Sequence, residues 1–312
     1  MTVGFPERPP WSGIGADGWD GTPCPDDLYL TSASSVAKAL AAPSLETWKI
    51  GEIVERLHER LPEFTARGAA DMDATKKWAA QLQWEPKPGA LLNAADSGTL
   101  LHSLLEAWLK GETPSPAIAQ QVRADPELTA MATNLWGWFQ RFKPQAVAIE
   151  VVVYNPELGI AGRLDSLVTF PDFPQYGTAL VDLKNSRDAR TKDGTRKRPH
   201  GDSHGLQLAA YRSCTLQATF EPRIAVNKRS SRNRTYLLNP REQAVCAPAH
   251  EIHSTFILQN DPDRCLLYPI DTGPAVQRRL ADTIGAGRWV KEESRGVVGD
   301  PVAPPLVLPD LS

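Results

Sequence analysis

At Ala146 the sequence changes texture, and the change sets the class of fold. Before it, apolar residues recur at helical spacing. After it, Val147-Ala148-Ile149-Glu150-Val151-Val152-Val153-Tyr154 is a nearly continuous β-branched run, closed by the turn pair Asn155-Pro156. Residues 160–168 return as a second strand and complete a hairpin. Residues 178–184 form a third, whose apolar start Ala179-Leu180-Val181 suits the middle of a sheet. A helix follows over 205–219, then strands over 223–227 and 235–238 around a basic loop. Consecutive strands, a helix and more strand, framed by helices, predict an α/β fold: a mixed central sheet flanked by helices, with a helical N-terminal part.

In that helical part, the stripe Leu100, Leu101, Leu104, Leu105, Trp108 and Leu109 follows Gly98 at a 3.6-residue period. His102 and Glu106 are four apart and share one face of the same helix. A second helix runs from Pro126 to Phe142, with Leu128, Met131, Leu135, Trp138, Phe139 and Phe142 as its apolar face. Shorter helical patterns occupy 48–60 and 71–85. The hydroxyls of Thr31-Ser32-Ala33-Ser34-Ser35 are N-cap candidates for an earlier helix. Residues 1–27 are rich in Pro, Gly, Asp and Trp without periodicity and read as a loose arm, with Trp11 and Trp19 as candidate anchors. No internal repeat is present.

The pieces that carry chemistry lie between 98 and 211. Asp165 falls at the end of the second strand and Asp182 inside the third, where neighbouring strands can bring both to one point. Two carboxylates that close repel unless a cation neutralises them. A hard divalent ion fits, since it takes carboxylate, carbonyl and water oxygens. Lys184 lies two residues beyond Asp182 and so on the same face of the strand. The backbone carbonyl of Leu183 lies between them as a further oxygen ligand. On an exposed strand, Asp-x-Lys is an ordinary surface ion pair. On a buried strand the two charges need a reason to be there.

Gly98-x-x-x-His102 on a helix, Gly162-x-x-Asp165 on a strand, Asp182-x-Lys184 on the next strand and Gln207-x-x-x-Tyr211 on the following helix occur in one order. The ordered set resembles the PD-(D/E)XK nuclease superfamily. The likeness is to its RecB-type branch, shared by bacterial recombination nucleases, CRISPR-associated exonucleases and many phage exonucleases. By position, the resemblance implies His102 as a metal ligand from the helix, Asp165 as the central carboxylate ligand, Asp182 as the second and Lys184 as the catalytic lysine. It implies Glu150 as an acidic residue that joins the metal shell, and Gln207 and Tyr211 as a pair that faces DNA or braces the site. The implied cofactor is Mg²⁺ or Mn²⁺. Iron–sulfur members of the branch carry three closely spaced C-terminal cysteines. Here Cys24, Cys214, Cys246 and Cys265 are widely separated, so no cluster is expected. Lys184 is followed by Asn185-Ser186, where the family often has Thr.

A net charge of -3 gives no global attraction for a polyanion, so any nucleic-acid surface has to be local. Two basic clusters qualify. One is the loop leaving the third strand, residues 187–200, with Arg196, Lys197 and Arg198. The other is the cluster over 228–234, with Lys228, Arg229, Arg232 and Arg234. Neither contains aromatics, which points to backbone contact rather than base stacking; two solvated loops are the plainer alternative. The first residues lack a secretory pattern and no stretch reaches the roughly 20 apolar residues of a membrane span, so the expected location is cytoplasmic.

The expected organisation is an arm over 1–27, one nuclease domain over 28–295 and a Pro-rich tail over 296–312. The domain divides into a helical part (28–145), a catalytic core (146–240) and a C-terminal part (241–295). The expected activity is metal-dependent exonucleolytic hydrolysis at DNA ends, in recombination, repair or phage DNA processing, with a recombination protein as a candidate partner. A non-catalytic nucleic-acid-binding or assembly protein on the same fold, or an endonuclease, is the alternative.

Overall fold

The structure, a computed structural model, describes residues 14–15, 18–19, 26–37, 53–54, 57–82, 94–187, 190, 194–196, 198–199, 201–227 and 230–288. The tail over 296–312 and most of the arm lie outside them. The arm's described residues include a two-residue strand pair, Ile14–Gly15 with Gly18–Trp19.

Ten strands form one sheet among the described residues. The strands are β1 (Leu28–Ser32), β2 (Gln145–Asn155), β3 (Ile160–Thr169), β4 (Ala179–Asn185), β5 (Leu216–Gln217), β6 (Arg223–Asn227), β7 (Ser230–Leu238), β8 (Ala247–Pro248), β9 (Ser254–Asn260) and β10 (Cys265–Pro269). The helices are α1 (Leu61–Ala70), α2 (Met72–Leu82), α3 (Ala94–Leu109), α4 (Pro116–Arg123), α5 (Pro126–Phe142), α6 (Gly201–Arg212), α7 (Pro240–Val245) and α8 (Pro274–Arg288). The sheet is mixed: β4 runs parallel to β9 and β1 parallel to β3, while the other pairs are antiparallel. This is the α/β architecture that the change of texture at Ala146 predicts.

Two apolar layers cover the sheet. On one face Leu101, Leu104 and Leu105 of α3 and Leu128, Met131, Leu135 and Trp138 of α5 pack against Val181 and Leu183 of β4 and Phe256 and Leu258 of β9. On the other, Leu206, Leu208 and Tyr211 of α6 and Leu280 of α8 pack against Leu164, Leu180 and Ile257. Alternation along β4, odd residues to one layer and even to the other, is what a strand covered on both faces needs. A third cluster fills the β1–β7 end, with Leu30, Val152, Tyr154, Tyr236 and Leu238.

One feature of the topology makes the site. Along one edge β3 pairs with β2 over its whole length, from Asn155↔Ile160 to Gln145↔Thr169. Its other edge is shared. Ile160 and Ala161 pair with β1, and Ser166, Leu167 and Val168 pair with β4. Between the two ladders, Gly162 to Asp165 face an opening in the sheet.

Several expected boundaries move. Helix α3 starts at Ala94, so Gly98 lies inside it rather than before it. A Cβ at Gly98 would meet nothing within 4 Å, because open cleft lies over it. Asp165 sits in the middle of β3, not at its end. Residues 230–234, expected in a loop, extend β7. Asp27, expected in the arm, is buried against Arg223, with Oδ1 2.6 Å and Oδ2 3.0 Å from the guanidinium.

Candidate metal centre and its cleft

At the opening in β3 the two strands of the hairpin kink together. Glu150 stands opposite Asp165, between the pairs Ile149↔Ser166 and Val151↔Leu164. Its φ is 53°, the left-handed region that a non-glycine residue enters only at a cost of about 1–3 kcal/mol. The consequence is visible in the packing. Ala148 and Val151, three apart, contact the same cluster, and so do Leu164 and Leu167. Strict alternation would send each pair to opposite faces. The kink brings Glu150 and Asp165 towards α3, where His102 lies.

Ligand atoms of His102, Glu150 and Asp165 all come within 4.8 Å of one another. His102 Nδ1 is 3.5 Å from Asp165 Oδ2, and the same oxygen accepts a 2.8 Å hydrogen bond from the Leu183 backbone N–H. That bond takes over where the β3–β4 ladder ends at Ser166↔Val181. Burial, followed by repulsion from Asp165, raises the Glu150 carboxyl to about 7, against the opposing pull of His102 and Arg163. Burial and then Asp182 raise Asp165 to about 6. Crowded acids of this kind are relieved by a cation.

Asp182 has a different neighbourhood. It is 1% exposed, and its Oδ2 lies 2.6 Å from Lys184 Nζ. Its Oδ1 accepts from Gln207 Nε2 at 3.2 Å. Burial would lower the Lys184 pKa, but Asp182 and Asp165 outweigh it and the net direction is upward. Lys184 is therefore an ammonium ion, able to donate hydrogen bonds and not to accept a proton. Asp182, expected as a metal ligand, stands outside the His102–Glu150–Asp165 group and is engaged by Lys184 and Gln207. Leu183, expected through its carbonyl, contributes its N–H to Asp165.

Gln207 and Tyr211 lie beneath the site, where they brace it. Gln207 Nε2 donates to Tyr211 Oη at 3.2 Å, and Tyr211 donates to the Arg163 carbonyl at 2.8 Å. Tyr211 is 5% exposed, so a DNA-facing role for it is not met; depth in the α6 layer is the reason. Gly162 belongs to the same device. A Cβ there would stand 2.5 Å from Tyr211 Cε1 and 3.2 Å from Ala33 Cβ. The glycine of one motif is required by the tyrosine of another.

His102, Glu150, Asp165, Leu183 and Lys184 line an open cleft of about 610 Å³, together with Gly98, Thr99, Ser103, Glu106, Arg163 and Asn185. Sequence reasoning did not assign Arg163 a role, although its spacing of two from Asp165 is a strand signal for the same face.

The basic clusters fare unevenly. Arg187, the first residue of the loop offered as a nucleic-acid surface, turns inward. It donates to Asp125 at 2.7 and 3.3 Å, to Glu127 at 2.9 Å and to Ser97 at 2.8 Å. Arg196 pairs with Asp263 at 3.1 Å. Arg198 is exposed. Lys197, Lys228 and Arg229 lie outside the described residues, as do the side chains of Arg232 and Arg234. Cys214, Cys246 and Cys265 are free thiols, and Cys24 is outside the described residues.

No family model matches the chain, and no curated protein matches it. A solved structure described as "Crystal structure of SSO0001" is 14% identical, with 82% of this chain and 75% of that chain covered and a TM-score of 0.30. Likeness that slight carries no argument about fold or function. Among the described residues no helix is long and apolar enough to cross a membrane.

Proposed function

We propose that this protein is a metal-dependent nuclease of the PD-(D/E)XK type that hydrolyses phosphodiester bonds at DNA ends. The observation that carries the reading is the approach of His102, Glu150 and Asp165 within 4.8 Å in an open cleft that Lys184 also lines. Two carboxylates and an imidazole fit Mn²⁺, and Mg²⁺ through the oxygens. The raised carboxyls of Glu150 and Asp165, whose mutual and neighbouring repulsion a bound cation would relieve, support the reading. A divalent ion bound there supplies Lewis acidity towards water and phosphate oxygen.

The chain's own groups then divide the work. His102, Glu150 and Asp165 would hold the ion, and the Leu183 N–H fixes the Asp165 carboxylate in place. Lys184, held as ammonium by Asp182, donates to the attacking water or to the phosphoryl oxygens as negative charge builds on them. Gln207 fixes Asp182, and Tyr211 fixes Gln207, so that the ammonium is presented from a rigid base. Exonuclease action, a role in recombination, repair or phage DNA processing, and a cytoplasmic location follow from the resemblance of the motifs and belong to the same proposal.

The test compares wild type, Asp165→Asn and Lys184→Ala on end-labelled linear DNA and on closed circles, with Mg²⁺ or Mn²⁺. Linear substrates shorten, circles persist, and both variants lose at least about 10²-fold in rate, the scale for losing one electrostatic stabiliser. Cutting of circles replaces exonuclease by endonuclease. Binding of DNA without cleavage by wild type replaces both by an assembly or binding role.

A further inference from the structure

Arg163 is not one of the three candidate ligands, although its charge pulls on Glu150, and it lines the same cleft as Glu150, Asp165 and Lys184. It comes from the stretch of β3 that neither β1 nor β4 covers, two residues from Asp165. Its main chain is fixed, because Tyr211 donates to its carbonyl at 2.8 Å and Gly162 before it is pressed against the Tyr211 ring. Its side chain is less committed, at 36% exposed. Glu221, 91% exposed, stands 3.9 Å away, beyond hydrogen-bond length. Lys184 is held by Asp182, Arg187 by Asp125 and Glu127, and Arg196 by Asp263. Among these cations around the site, Arg163 is the one that joins a rigid base to an accessible fork of donors.

Resting on the nuclease reading, we propose that Arg163 anchors a backbone phosphate of the nucleic acid next to the one being cut. A guanidinium matches a phosphate with two parallel N–H donors, which sets position and not only charge. Placed two residues along the strand from Asp165, it holds the chain in register over the metal centre, and the contact is independent of base sequence.

The experiment measures binding of a labelled DNA strand by anisotropy in Ca²⁺, cleavage in Mn²⁺, and Mn²⁺ affinity without DNA, for wild type, Arg163→Gln and Arg163→Lys. In Arg163→Gln the Kd and KM for DNA rise about 10- to 100-fold, the scale for one hydrogen-bonded charged contact, while Mn²⁺ binds as tightly as before or tighter. The slope of log Kd against log salt falls by about 0.7 on single strands or 0.9 on duplex, one phosphate's share. Arg163→Lys regains the slope and only part of the affinity. An unchanged Kd and slope in Arg163→Gln overturns the anchor. So does a loss of Mn²⁺ affinity at unchanged slope, which makes Arg163 a support for Glu150. If wild type binds DNA without cutting it and the slope in Arg163→Gln falls by that one-phosphate share, the nuclease reading falls and Arg163 stands as a phosphate anchor. If wild type cuts and Arg163→Gln cuts with the same KM, the reverse holds. No DNA binding by wild type overturns both.

Discussion

Gly162 and Tyr211 show how tightly single residues are coupled across this site. Their motifs lie far apart in sequence, yet one has no side chain because the ring of the other occupies its place. Gly162→Ala therefore costs about 1–3 kcal/mol by overpacking. Tyr211→Leu costs stability by itself but removes the ring that the new methyl meets. Urea denaturation of the double-mutant cycle checks this: the double variant is more stable than the sum of the single changes. Independent costs would mean that the ring moves aside. The raised acids make a second prediction at this scale. Glu150 (ordinary value 4.5) and Asp165 (3.8) bind protons more tightly folded than unfolded, with folded values of about 7 and about 6. In that window the native state holds the extra protons, so ion-free stability falls as pH rises from about 4 to 7. Mn²⁺ competes with the same protons, so its affinity rises over pH 5 to 8. Calorimetric titration of Mn²⁺ at several pH values measures it, and a flat profile removes these carboxyls from the ligand set.

At the scale of elements, Arg187 joins three of them. It leaves the end of β4, two residues after the strand ends, and reaches Asp125 at the N-cap of α5, Glu127 in its first turn and Ser97 of α3. The Asp125 carboxyl also accepts from the backbone N–H groups of Glu127 and Leu128, starting α5 at Pro126. Burial would raise the Asp125 pKa, but Arg187 and these N–H groups outweigh it and the net direction is downward. Arg187→Ala leaves this 3%-exposed carboxylate without its counter-charge and costs about 3–5 kcal/mol, read by urea denaturation. The pH response weakens with it, since only the two backbone N–H groups then hold the Asp125 carboxyl down. Wild-type Asp125 contributes stability present above its ordinary value and lost on acidification, and in the variant that loss on acidification is smaller. A loss under 1 kcal/mol would mean that water replaces the guanidinium.

For the molecule as a whole, an ion held between α3, β2 and β3, as proposed above, would link ion binding to global stability. Mn²⁺ at 100 times its Kd adds about 2.7 kcal/mol, which raises Tm by several degrees in a domain of this size. His102→Ala or Asp165→Asn removes most of that rise in a thermal melt, and an equal rise in all three proteins would place the ion elsewhere. The sequence by itself determined the mixed sheet, the α5 helix with its apolar face and the juxtaposition of Asp182 with Lys184, because periodicity and i,i+2 alternation are local properties of a chain. It also marked Asp165, as a carboxylate on the strand beside that of Asp182, whereas His102 and Glu150 were marked through the resemblance of the motifs and not through geometry. Only the tertiary structure decided that Glu150 turns left-handed to meet Asp165, that Asp182 is held by Gln207 and Lys184 outside the three-ligand group, and that Tyr211 supports the site from below. It also decided that Arg187 turns inward while Arg163 lines the cleft. Such outcomes depend on where β3 exchanges β1 for β4, a long-range pairing that no local pattern encodes.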